Sequence, residues 1–255
     1  MSQSKPAPNP QVALITGAAQ GLGQAIAESL FEAGFIVVVS DINEKGAAAL
    51  ADSLDSSNKR ALGLPLDVCE RADFAEALDK IVEIYGACHV LVNNAAMTPT
   101  TPVMDISVEE FDKVLQVNLR GTFLGCQLFG AYFAEQKYGR IINMGSLAAQ
   151  TGGTASGAHY AASKGGILTL TKFFARLFAD SQVTVNAIAP GPVDVPSIRE
   201  KVPAEKLAEI IETVIPIKQM SDPAFIAHMV AMLASEQAGA VTGACWDANG
   251  GIFMR

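Results

Sequence analysis

Short continuous apolar runs alternate with longer amphipathic stretches along almost the whole chain, and this alternation most limits what it can fold into. Apolar runs at 12–16, 35–41, 61–67, 89–93, 140–144, 184–188 and near 244–246 read as strands. Helical spacing falls between them, over 21–33, 44–54, 71–85, 108–136, from Tyr160 to about 179, over 205–214 and over 222–233. A strand that is apolar along its length is buried on both faces, so helices must cover both sides of the sheet. The pattern predicts a doubly wound α/β fold with a parallel sheet. No internal repeat, low-complexity block or linker interrupts it, so residues 11–255 read as one domain. Residues 1–10 are polar and proline-rich and read as a flexible arm rather than a leader. The prolines at 192, 196, 203 and 216 loosen the pattern after Pro190, and residues 193–216 read as a lid over a substrate.

Charge and composition narrow the partners. The 255 residues carry a formal net charge of -8, whereas a nucleic-acid or anionic-membrane binder needs a basic face. No apolar run reaches the length of a membrane span, and a cytoplasmic protein is expected. Cys69, Cys88, Cys126 and Cys245 have no paired spacing, which fits buried thiols in a reducing compartment. His89, His159 and His228 are equally scattered, so no metal site is expected.

Two constellations carry chemistry. Thr16-Gly17-Ala18-Ala19-Gln20-Gly21-Leu22-Gly23 lies between the first strand and the first helix. Glycines there permit a tight turn and close approach of a pyrophosphate, which the free N–H groups of the helix N-terminus can bind. Asp41 ends the second strand, where a carboxylate accepts from adenosine ribose hydroxyls and repels a 2′-phosphate. Neither Gln20, Ile42 nor Asn43 supplies a cation, so the cofactor expected is NAD. Asp41 is also open to a reading as a helix cap or loop aspartate. The second constellation is Tyr160 and Lys164, which share one helix face with Cβ atoms about 5–6 Å apart. An ammonium beside a phenol lowers its pKa towards the range where proton transfer is efficient.

With Asn93-Asn94-Ala95-Ala96, Asn118, Ser146 and Pro190-Gly191 in order along the chain, the sequence resembles the short-chain dehydrogenase/reductase family from Val12 to about Gly251. The resemblance implies a Rossmann-type seven-stranded sheet, order 3-2-1-4-5-6-7, and hydride transfer between NAD and a secondary alcohol or ketone. It implies Tyr160 as catalytic acid/base and Lys164 as the residue that tunes it and holds the nicotinamide ribose. Ser146 would position the substrate oxygen, and Asn118 would hold a water that connects the lysine to solvent. Gly17, Gln20, Gly21, Leu22, Gly23, Asp41, Ile42, Asp67, Val68, Asn94, Ala95, Pro190, Gly191 and Val193 would line the cofactor site with Tyr160 and Lys164. Asn93 would support the sheet beneath it. Ser146 as a loop hydroxyl and Asn93 as a structural residue stay open.

Three positions depart from the family pattern. Ala96 stands for a glycine, Val195 for the threonine that bonds the carboxamide, and the Ser146–Tyr160 interval is about one residue longer than is common. The resemblance also implies a homotetramer, a dimer of dimers, because the Tyr160 helix is apolar nearly all round. Leu147, Thr151, Thr154, His159, Pro192 and the lid would form a mixed pocket for an uncharged substrate, while Arg199 and Lys201 leave an acidic one open. Two alternatives stand beside the alcohol dehydrogenase. One is a 3-oxoacyl-carrier-protein reductase, which Asp41 disfavours because that role generally uses NADPH. The other is a catalytically silent NAD-binding regulator, which usually lacks the tyrosine or lysine.

Overall fold

The computed structural model describes residues 10–57, 59–153 and 157–254, excepting the side chains of Ser197 and Lys201. The expected arm falls almost wholly outside these residues, as does Thr154. Seven parallel strands form one sheet in the order β3-β2-β1-β4-β5-β6-β7: β1 (Val12–Thr16), β2 (Ile36–Asp41), β3 (Ala61–Pro65), β4 (Val90–Asn93), β5 (Gly139–Met144), β6 (Val183–Pro190) and β7 (Cys245–Ala248). Alternate side chains of a strand enter opposite layers. Ala13, Ile15, Val37 and Val39 pack under α1 (Gly21–Glu32), α2 (Glu44–Leu54) and α10 (Pro223–Ala234). Val12, Leu14, Val38 and Leu91 pack under α3 (Arg71–Tyr85), α5 (Gly121–Gln136) and α7 (Ala158–Phe178). Both faces are therefore covered, as the unbroken apolar strands require.

Several boundaries differ from expectation for physical reasons. β3 stops at Pro65, and Asp67 begins a turn in which its carbonyl accepts from the Glu70 amide at 2.9 Å. The expected helix over 108–136 is α4 (Val108–Leu115), a wider π-helical turn at Gln116–Arg120, and then α5. Asn118 sits in that turn, and such insertions recur at functional sites. Residues 193–216 hold two helices, α8 (Pro196–Lys201) and α9 (Ala204–Thr213), where one was expected. Pro196 occupies the first turn of α8, a position that proline favours. Leu207, Ile215 and Met220 form a small buried cluster under these helices. A further short helix, α6 (Ala148–Thr151), follows the fifth strand.

Strand order reverses between β1 and β4, and ligands of open α/β sheets bind in the crevice at the carboxyl ends beside such a reversal. The glycine turn leaves β1 there, Asn94 and Ala95 leave β4, Ser146 leaves β5 and Gly191 leaves β6. No helix among the described residues is long and apolar enough to cross a membrane. Cys69, Cys88 and Cys126 are buried, and burial pushes the Cys88 and Cys126 thiols up to about 12.

Candidate active site

The glycine turn is built by backbone conformation and by close approach. Gly17 and Gly21 have φ of +62° and +60°, in the left-handed region that side chains disfavour. A Cβ on Gly23 would overlap the Gly17 carbonyl and come within 2.6 Å of the Asn94 amide nitrogen. That amide donates to the Thr16 and Gly17 carbonyls at 3.0 and 2.9 Å, while the Thr16 hydroxyl accepts from the Asn94 and Ala95 amides at 3.0 and 3.1 Å. The loops after β1 and β4 are thus laced into one floor. Asn93 lies below it, donating to Asn143 at 2.8 Å, which in turn donates to Thr171 of α7 at 3.0 Å.

The Asp41 carboxylate closes the other side of the turn. It accepts from the Ala19 amide at 3.1 Å and from the Asn43 amide at 2.9 Å. Asn43, not Asp41, caps α2, accepting from Gly46 at 3.1 Å. Ile42 beside it is 75% exposed. Asp67 spends one oxygen on the Cys69 amide at 2.9 Å, and Val68 is buried. On the opposite rim the Gly191 amide donates to Ala248 at 2.9 Å, and a Cβ on Gly191 would come within 2.7 Å of the Asn249 Cα. Val193 is buried and pairs with Ser221. Val195 begins α8 with no side-chain cap, where a threonine hydroxyl would have been able to accept.

Tyr160 and Lys164 lie one turn apart on α7, with the lysine Nζ 5.6 Å from the phenol ring centroid. Lys164 is only 3% exposed and donates to the Met144 carbonyl at the end of β5 at 2.6 Å. Burial raises the Tyr160 pKa, and the Ser146 and Thr98 hydroxyls act on it in the opposite sense as hydrogen-bond partners. Burial also lowers the Lys164 ammonium to about 8. The dominant influence on the phenol is therefore desolvation rather than the lysine, because the ammonium is turned towards a strand carbonyl. The Ser146 hydroxyl meanwhile accepts from the Ala148 amide at 3.1 Å, holding the start of α6.

Asn118 is fully buried with its amide committed. It accepts from the Met97 amide at 2.8 Å and donates to the Met97 carbonyl at 2.9 Å and to the Ser163 hydroxyl at 3.1 Å. His159 departs from expectation. Its ring is fully buried, with Nε2 2.9 Å from Glu110 on α4, so it does not line an open pocket. Thr98 and Glu110 were missed by sequence reasoning. Ser107-x-x-Glu110 has capping-box spacing, a signal that would have drawn attention to the glutamate.

The buried ammonium carries a testable consequence. The folded Lys164 pKa lies below its ordinary value of 10.5. Between about pH 8 and pH 10.5 the unfolded chain then binds more protons, so this group's effect on stability becomes more favourable as pH rises. Lys164→Met removes the charge from the same space. It is expected to be more stable than the parent at pH 7 by about 2–3 kcal/mol, with the gap closing towards pH 10. Urea unfolding of both proteins at pH 7 and pH 10 checks this; a gap that does not change with pH contradicts it.

The sequence family described as enoyl-(acyl carrier protein) reductase matches residues 17–252. The chain is 35% identical over 251 residues to a 3-oxoacyl-[acyl-carrier-protein] reductase of Thermotoga maritima, covering 96% of this chain and 98% of that protein. It is 34% identical over 244 residues to the Escherichia coli protein of the same name, with the same coverage. It is also similar to a 4-formylbenzenesulfonate dehydrogenase of Comamonas testosteroni, 36% identical over 249 residues, covering 95% and 98%.

Proposed function

Since the chain belongs to the short-chain dehydrogenase/reductase family and is an oxidoreductase of that family, we propose that it transfers a hydride between NAD(H) and a secondary alcohol or ketone. One observation carries this reading: Tyr160, faced by the Ser146 and Thr98 hydroxyls, stands one helical turn from a buried Lys164 at the carboxyl end of β5. In reduction Tyr160 donates its proton to the substrate oxygen, and in oxidation it takes the hydroxyl proton. Ser146 offers a neutral donor where oxyanion charge develops, which requires no reorganisation of solvent. Lys164 holds the nicotinamide ribose and passes protons, and Asn118, expected to hold the water that connects the lysine to solvent, commits its side-chain amide to Met97 and Ser163 beside it. The bound nicotinamide supplies or accepts the hydride.

The fit of the site to a dinucleotide rests on the glycine turn, packed so closely at Gly23 that a Cβ would overlap the Gly17 carbonyl, with N–H groups at the start of α1. Gln20, Leu22, Ala95, Pro190 and Val193 are the adjoining wall. The NAD preference rests on Asp41, held at the end of β2 by two amides next to an uncharged Ile42. A second reading, reduction of a 3-oxoacyl thioester, draws support from the names of two relatives.

The test is a panel of secondary alcohols and ketones, with acetoacetyl-coenzyme A beside them, assayed with both NAD(H) and NADP(H). Turnover of a simple alcohol with NAD bears the first reading out, and preferred turnover of the thioester with NADPH replaces it. NADH binding without turnover of any member would leave a silent regulator. Residues 193–216 act as the lid in this reading. Phe123 on α5 with Phe173 and Leu177 on α7, the last two 61% and 57% exposed, mark the face on which a homotetramer would be built. Light scattering is expected to give a tetramer, and a monomer would contradict it.

A further inference from the structure

One carboxylate oxygen joins three segments that meet beside Tyr160. Glu110 Oε1 accepts from the Thr101 hydroxyl at 2.7 Å and lies 2.9 Å from His159 Nε2. Thr101 belongs to the loop that leaves β4, Glu110 to the first turn of α4, and His159 to the first turn of α7, immediately before Tyr160. The His159 ring is wholly buried, stacked on Phe111 with centroids 6.5 Å apart, and it closes over Gly157, where a Cβ would overlap the ring. Because a carboxylate faces Nε2, that nitrogen carries the proton. Among the described residues Nδ1 is buried with no partner, and Glu110 is the polar tether of the ring.

The loop itself is held at both ends. Met97 is clamped in both directions by the Asn118 amide, and Thr101 is held by Glu110. Between them the Pro99 carbonyl accepts from the Gly157 amide at 3.2 Å, and Thr98 faces the Tyr160 phenol. The loop and the helix that carries Tyr160 are thus registered through a few bonds: Asn118 ties the loop to α7 at Ser163, and the Glu110 bridge ties it to that helix's first turn.

We propose that Glu110 and His159 are positioning residues for Tyr160, the Thr101–Glu110–His159 bridge setting the first turn of α7 against the loop over the substrate side. The proposal rests on the reading of Tyr160 as the proton-transfer group. Displacing a reacting group by a fraction of an ångström lowers turnover without touching the glycine turn after β1 or Asp41 at the end of β2, which lie away from the bridge.

The experiment compares Glu110→Ala, Glu110→Gln and Thr101→Val with the parent, using the best-turned-over ketone of the panel and NADH. Glu110→Ala is expected to lower kcat about 10-fold or more, with NADH affinity within about twofold because the glycine turn and Asp41 are untouched. Glu110→Gln keeps an acceptor oxygen for both the threonine hydroxyl and the imidazole N–H, and is expected to recover kcat to within about threefold of the parent. Thr101→Val, at a partly exposed loop position, tests the bridge if the Glu110 variants fold poorly, and an intermediate loss is expected. Unchanged kcat in Glu110→Ala overturns the proposal, as does unchanged kcat in Thr101→Val. Equal losses in Glu110→Ala and Glu110→Gln also overturn it, because they would mean that the charge and not the bridge matters. Tyr160→Phe that retains full turnover would instead sink the underlying reading, with the bridge variants left to fall with it.

Discussion

Replacing Tyr160 by phenylalanine is expected to lower kcat by about 10³-fold, the scale on which a positioned general acid or base acts, with NADH affinity nearly unchanged. The substitution removes one oxygen and keeps the ring, so the packing of α7 beside Lys164 survives. The same group predicts opposite pH behaviour in the two directions. Burial holds the phenol above its ordinary pKa of 10, so the protonated acid that ketone reduction needs is fully present at neutral pH. Reduction should therefore be flat through neutrality and fall only in the alkaline range. Alcohol oxidation needs the phenolate and should climb with pH over the same interval. Steady-state rates in both directions from pH 6 to pH 10 check this. A Phe variant that keeps more than a tenth of parental turnover would show that some other group moves the proton.

The strands were legible because burial on both faces leaves an unbroken apolar run, and β1 and β2 lie where those runs do. The strand order followed from the resemblance and holds in the sheet. What could not be read is what depends on single side chains choosing among partners. Nothing in the composition of residues 108–136 announces a π-helical turn, since Gly121–Gln136 is apolar nearly all round and carries no clear stripe whose phase a one-residue insertion would shift. Only Asn118, a poor mid-helix residue, hints at it. His159 reads as a pocket residue by position, yet Glu110 lies 49 residues away in sequence and turns the ring inward. The Tyr160–Lys164 spacing was legible, whereas the hydrogen bond that draws Lys164 to Met144 depends on where β5 ends. α6 is four residues long, too short to carry any period. Helical spacing alone predicted that the lysine would tune the phenol; the desolvation that raises the phenol and the strand carbonyl that takes the ammonium depend on packing.

Asp41→Asn is expected to shift cofactor preference from NADH towards NADPH by about 10²-fold, the free-energy scale of removing a like-charge juxtaposition. Asparagine is chosen over alanine because Asp41 does more than repel. Its Oδ2 accepts from the Ala19 amide in the glycine turn, and alanine would leave that donor without its partner and loosen the cradle for both cofactors. Asparagine keeps one acceptor for Ala19 and loses the contact with the Asn43 amide, which is exposed and can turn to water. Adding Ile42→Arg should carry the preference further, because Ile42 is 75% exposed and its replacement disturbs no core. A guanidinium there offers planar, charge-assisted bonds to a phosphate that an ammonium cannot match. Fluorescence titration of the parent, the single variant and the double variant with NADH and NADPH gives the two affinities separately. If the repulsion is what selects, NADPH binding should tighten at each step while NADH binding weakens only modestly, through loss of an acceptor for the ribose hydroxyls. A parent that already prefers NADPH, or a preference that Asp41→Asn leaves unmoved, would mean that the carboxylate serves only to hold the glycine turn, and that selection lies in other contacts around the adenosine.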